Sequence, residues 1–269
     1  MSALSRRELL RLGGVSLASG LVLAACGKQS GVINDKAIVS LGQAPTTTKL
    51  AEAEVTDAVL LRTAASLEYN LIVTYKFAVV SGLFIGDFSK TDEIPRRFFD
   101  DHQAHANAVN ALIVALGAKE VRFPNKKIND SYIQPALKII MADGNPNPGM
   151  DIVALLHAVE NLATQTYQGF VAMLSDPKLR AEAIRIGQQD ARHAALLARI
   201  LNPGLSSIGP TSNATTGKPN IAAVPSAFGS MANIPVALGA PKPDGSQITL
   251  LFETPSLNSL VYDFVSCQG

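Results

Sequence analysis

Cysteine is almost missing from this chain: there are two in 269 residues, at positions 26 and 267. A framework of several disulfides is therefore excluded as the source of stability. Charge of either sign is also scarce. Lys and Arg total 23 against 22 Asp and Glu, the formal net charge is +1, and no basic stripe runs along any segment. Nothing in that balance points to nucleic acid as a partner. Histidine occurs only four times, and two of the four fall in the stretch Asp101-His102-Gln103-Ala104-His105. What the chain does have is apolar surface: 47% of its residues are hydrophobic and the mean hydropathy is +0.20. That suits one well-buried domain of roughly 150–200 residues with appendages.

The first residues read as an address. Ser5-Arg6-Arg7-Glu8-Leu9-Leu10 has the form of a twin-arginine export motif. The apolar run after it is interrupted by Gly13, Gly14 and Gly20, and is short for a membrane span. It ends in Leu23-Ala24-Ala25-Cys26, which resembles a bacterial lipobox. A retained transmembrane helix is the competing reading, but the arginine pair, the short apolar core and the small residues before Cys26 agree on a lipoprotein. On this reading residues 1–25 are a signal peptide, Cys26 is lipidated, and the body is held in the cell envelope, outside the cytoplasmic membrane. Membrane lipid is then a partner through the acyl chains. Cys267 is left without a disulfide mate, so stability must come from a packed core or a metal. The twin-arginine route carries folded cargo, often with cofactors loaded, which favours the second.

Residues 26–47 form a polar tether, and four helical patterns follow across 48–202. The first is expected from about Lys49 to Ser81, capped by Thr48 and stopped by Gly82. The second begins near Thr91–Pro95 and ends at Gly117. The third runs from about Met150 to Leu174, after the breaker run Gly144-Asn145-Pro146-Asn147-Pro148-Gly149. The fourth starts at Asp176-Pro177 and stops at Asn202. Between the second and third lies a long connection with one short helical piece near Ser131 to Met141. Two helical hairpins joined by a crossover make an all-α four-helix bundle with ferritin-like connectivity. The remainder, 203–269, is rich in Pro and Gly, with an extended stretch at Ile248–Phe252 and an apolar one at Leu260–Val265. It is expected to lie over the bundle as an irregular wrap.

The two hairpins resemble each other. Glu68 is followed by Thr74 and Tyr75, and Glu160 by Thr166 and Tyr167, at the same offsets of six and seven. Two turns separate each Glu from its Tyr, so they share a helix face. Aligning His105 with His193 lays Asp101-His102-Gln103-Ala104-His105 over Gln189-Asp190-Ala191-Arg192-His193. All six of Glu68, His102, His105, Glu160, Asp190 and His193 interrupt apolar stripes. A buried carboxylate costs several kcal/mol, on the order of 3–5, unless it is paired, hydrogen-bonded or ligated. A divalent ion offers that compensation, because carboxylate oxygens and imidazole nitrogens are its usual ligands. A metal-free core in which acids and histidines satisfy one another is the competing reading.

The layout resembles the ferritin-like superfamily, in particular exported bacterial ferritin-like domain proteins of rubrerythrin type, over roughly residues 50–200. There the pattern is a lone Glu on each of two helices and Glu-x-x-His on each of the other two. The resemblance implies that Glu68 and Glu160 are the lone glutamates and His105 and His193 the motif histidines. Asp190 stands in place of one motif Glu, and His102 replaces the other outright. It implies iron, one or two ions, or manganese, with zinc also compatible, and a ferroxidase or peroxide-type oxidoreductase. A non-catalytic envelope lipoprotein with a degenerate or structural metal site is the alternative. His157, three residues before Glu160, is expected to orient that carboxylate. Tyr75 and Tyr167 are expected as core aromatics with hydrogen-bonded hydroxyls. Asp101, four residues before His105, is the alternative carboxylate donor to His102, but is expected to face solvent beside Asp100. The resemblance leaves open a homo-oligomer and any protein partner.

Overall fold

The computed structural model describes residues 55–83, 93–202 and 234–252. Helix α1 spans Asp57–Ser81. It starts one turn and more inside the expected boundary: Thr56, not Thr48, is the cap, its hydroxyl accepting from Val59 N at 3.3 Å. Asp57 then puts an acid at the positive end of the helix dipole. Gly82 closes the helix with φ of +64°, a conformation glycine adopts without strain.

Helix α2 spans Glu93–Ala115. The helical part of the crossover is longer than expected, with α3 (Lys126–Ile128), a π-helical turn (Asn129–Ile133) and α4 (Gln134–Ile140) running on without a break. Two asparagines tie it down. Asn125 donates its backbone N–H to Asn70 Oδ1 on α1 at 2.6 Å while its own side chain accepts from Ile128 N. Asn110 on α2 pairs with the backbone of Val121 in both directions at 2.8 Å.

Helix α5 spans Pro148–Val171 and α6 spans Pro177–Leu201. The supposed breaker run thus contains a helix start, because proline in the first turn lacks only an N–H that would have no helical partner. Asp176 caps α6 by accepting from Lys178 N at 2.8 Å. Helices α1 and α2 pack as one hairpin and α5 and α6 as the other, with α1 against α5 between them. This is the expected all-α bundle.

The described part of the tail is not irregular. Strands β1 (Ile234–Leu238) and β2 (Ile248–Phe252) pair antiparallel, with Ile234 opposite Phe252 and Leu238 opposite Ile248. The hairpin packs on α5 and on the crossover, where Phe252 stacks on Tyr132 at 5.0 Å. Asp151 on α5 anchors the turn by accepting from Gly239 N at 2.7 Å and Asn145 Nδ2 at 2.9 Å. Signal peptide, tether, residues 203–233 and the Leu260–Val265 stretch lie outside the described residues.

The apolar core is divided. One cluster holds Leu60, Leu61, Ala64, Ala65, Val109, Ile113, Phe170 and Ile186 among others. The second holds Leu71, Tyr75, Phe98, Ile152, Leu156, Leu197 and the hairpin's inner face. Positions 102, 105, 190 and 193 fall between the two along α2 and α6, and Glu68 and Glu160 lie near the ends of the second cluster on α1 and α5. The bundle therefore carries a polar layer at mid-height, closed above and below by hydrocarbon.

Candidate metal centre

All six predicted ligands meet in that layer. Glu68, His102, Glu160 and Asp190 are 0% exposed, and His105 and His193 are buried. Helix α1 supplies Glu68, α2 both His102 and His105, α5 Glu160, and α6 Asp190 and His193. The i, i+3 spacing on α2 and α6 brings two side chains of one turn to one centre.

The donor atoms fall into two overlapping sets. Glu68, His102, His105 and Asp190 present ligand atoms all within 4.8 Å of one another, as do His102, Glu160, Asp190 and His193. Each set holds one glutamate and one motif histidine of its own. Asp190 and His102 are common to both.

His102 occupies the middle. Its Nδ1 lies 2.9 Å from Glu68 Oε2 and its Nε2 lies 2.9 Å from Glu160 Oε1. Carboxylates only accept, so both ring nitrogens donate and the ring is an imidazolium. Burial by itself pulls the ring's pKa down, but Glu160 and Glu68 outweigh it and hold it well above the usual histidine value. The same pairing depresses Glu68 and Glu160 below the ordinary carboxylate range, against the upward push of burial. His105 is raised to about 10: burial lowers it, but Asp190 and Glu68 prevail. Asp190 moves the other way, to about 7, through burial and the repulsion of Glu68.

The two tyrosines cross between hairpins. Tyr75 on α1 donates to Glu160 Oε1 on α5 at 2.7 Å, and Tyr167 on α5 donates to Glu68 Oε1 on α1 at 2.6 Å. Burial and the facing carboxylates push both phenols well above their usual pKa, so they remain donors.

Several polar atoms in the layer lack hydrogen bonds. They are His105 Nδ1, Glu160 Oε2, both carboxylate oxygens of Asp190, and His193 Nδ1. Some of them approach one another, as His105 Nδ1 does Asp190 Oδ1 at 3.2 Å, but without hydrogen-bond alignment. An unsatisfied buried polar atom costs about 1–3 kcal/mol, more if charged. Five at one level of one bundle are atoms whose cost a bound cation could offset. Three carboxylates and three imidazoles suit iron, manganese or zinc.

Two expectations fail here. His157 does not hydrogen-bond Glu160; its Nε2 meets Asn161 Nδ2 at 3.0 Å, and burial lowers the ring to about 4 even though Glu160 pulls upward. Asp101 does not face solvent. It is 9% exposed, clamped by Arg97 and 3.3 Å from His193 Nε2. Phe98 stacks on His193 with ring centroids 3.8 Å apart. Asp101 sits one residue before His102, on the flank of its helix. Only knowledge of where α6 lies separates that flank from the surface.

The fold is a helical bundle whose buried His, Glu and Asp groups could hold a metal ion, and the comparison with protein families places the fold. The chain matches the ferritin-like domain family over residues 56–203, more than half its length. It belongs to that family. No curated protein matches it.

Proposed function

We propose that this is a membrane-anchored, extracytoplasmic ferritin-like protein that binds iron or manganese in its bundle core and acts as a ferroxidase or peroxide-type oxidoreductase. The cluster of buried, unpaired ligand atoms at mid-bundle carries the reading. Glu68, Glu160 and Asp190 supply the negative charge; His102, His105 and His193 supply nitrogen. Tyr75 and Tyr167 hold the two glutamates from the opposite hairpin. A redox-active ion held by these residues would supply electron exchange with oxygen or peroxide. The export motif and Cys26 support the location, with acyl chains at Cys26 holding the protein to the envelope.

One observation favours a second reading. His102 already bridges Glu68 and Glu160 at 2.9 Å on each side, so part of the core is charge-balanced without an ion. A non-catalytic envelope lipoprotein with a degenerate or structural site would use the same contacts.

Elemental analysis of protein purified without chelators, beside Glu160→Ala and His193→Ala, decides between them. Bound metal that is lost in both variants, with Fe(II) oxidation or peroxide consumption by the wild type, is expected. Wild-type protein that neither contains nor takes up Fe(II), Mn(II) or Zn(II) overturns the metal reading. Metal without either activity supports the second. Cys26→Ser is expected to leave the membrane fraction.

A further inference from the structure

The two halves of the centre are related by the internal repeat, yet they are not equally supported. His105 and His193 are repeat mates, as are Glu68 and Glu160. The mate of Asp101 is Gln189, which carries no charge. The two mates lie beside each other, Gln189 helping to hold the Asp101 carboxyl below its usual range. Asp101 therefore serves one half only. Its Oδ2 lies 3.3 Å from His193 Nε2, whereas no carboxylate among the described residues pairs with His105 Nε2.

Resting on the metal-binding reading above, we propose that the half formed by Glu160, Asp190 and His193 takes the first divalent ion, and that Asp101 is the positioning residue that makes it the tighter half.

The geometry supports this link by link. Arg97 grips Asp101 with two nitrogens, Nε to Oδ2 at 3.1 Å and Nη2 to Oδ1 at 2.9 Å. A carboxylate so held, 3.3 Å from His193 Nε2, is placed to receive that nitrogen's N–H when Nδ1 binds an ion. In that state the lone pair would lie on Nδ1, the atom that faces Glu160 Oε1 at 3.3 Å and has no hydrogen bond. Phe98 covers the ring face. His193 thus has Nδ1 directed inward with a carboxylate behind Nε2, while His105 has no such support behind its ring among the described residues. A carboxylate behind a ligating imidazole raises its basicity, and removing one costs about 10–100-fold in affinity.

Zinc alone is the probe, because it is diamagnetic and only four histidines need be resolved. Long-range proton–nitrogen spectra of the full chain follow each ring as zinc is added. At half an equivalent the His193 Nδ1 resonance is expected to move and that of His105 to stay. Asp101→Asn is expected to weaken the first zinc by about 10–100-fold and to lose the single Nε2–H tautomer of His193. Should Asp101→Asn fail to fold, Arg97→Ala, on a side chain 71% exposed, loosens the same carboxylate and is expected to act in the same direction, less strongly. Zinc bound first at His105, or an unchanged first affinity in a folded Asp101→Asn, overturns the inference and leaves the metal reading standing. No zinc bound by the wild type overturns the inference, and failure to take up Fe(II) and Mn(II) as well overturns both.

Discussion

His102→Leu tests whether the centre is held together by charge when no metal is added. The substitution keeps an apolar side chain of similar bulk between Glu68 and Glu160 and removes both donors. Each contact is a buried hydrogen bond between charged groups at 2.9 Å. Such a bond contributes about 1.5–3 kcal/mol, so two give roughly 3–6 kcal/mol. An independent route, the loss on breaking a buried ion pair, gives about 3–5 kcal/mol. The lower end is expected, because Tyr167 still holds Glu68 and Tyr75 still holds Glu160. The pH of the assay follows from the direction of the shifts. His102 is raised, so its contribution is complete below its unfolded value of 6.5 and fades as pH rises through the higher folded value. Glu68 and Glu160 are depressed, so theirs is complete above 4.5 and fades as pH falls through the folded value. Both are fully present near pH 6. Chelator-treated protein unfolded by urea at that pH should lose about 3–5 kcal/mol, seen in thermal unfolding as a fall of roughly 6–20 °C. The gap between wild type and variant should narrow in alkali. A loss under about 1 kcal/mol, the scale of a surface pair, would show that His102 is not the internal counter-ion and would refute the reasoning.

Gly187 on α6 sits so close to α5 that an added Cβ would lie 2.9 Å from Tyr167 Cβ. Gly187→Ala should therefore cost about 1–3 kcal/mol in denaturant unfolding, where a helix-interior alanine would ordinarily stabilise; a neutral or stabilising result would contradict the packing. Metal affinity should rise with pH between about 6 and 8, by roughly one log unit per pH unit for each proton displaced. His105, raised to about 10, and Asp190, raised to about 7, both hold protons that ligation must remove. Competition with a chelating dye at several pH values measures it, and affinity independent of pH would show that these groups do not ligate.

The bundle and the membership of the six-residue layer were legible because both are written in periodicity. Polar residues breaking an apolar stripe at matching positions in four helices have few destinations other than one buried level. What periodicity could not convey depended on neighbours across helices. Asp101 reads as surface on its own helix, and only the approach of α6 buries it against His193. His157 is the right distance from Glu160 in sequence, yet Asn161, one turn on, takes its nitrogen. That the tyrosines reach across to the other hairpin's glutamate cannot be told from two identical offsets of seven residues. Helix starts failed where two similar signals competed, Thr48 against Thr56, or where a proline served as a beginning rather than an end. Strand β1 escaped notice because Pro235 and the surrounding small residues mask its alternation, which only pairing with β2 enforces.

The crossed tyrosines make the centre a latch. Each hairpin carries the phenol that the other hairpin's acid needs, and neither acid has a phenol of its own. A chain in which only one hairpin has formed would hold its glutamate without the phenol that caps it. Docking of the halves and completion of the centre are then a single event. Metal uptake would report that the whole bundle has assembled, and no half-built form should bind as the finished one does.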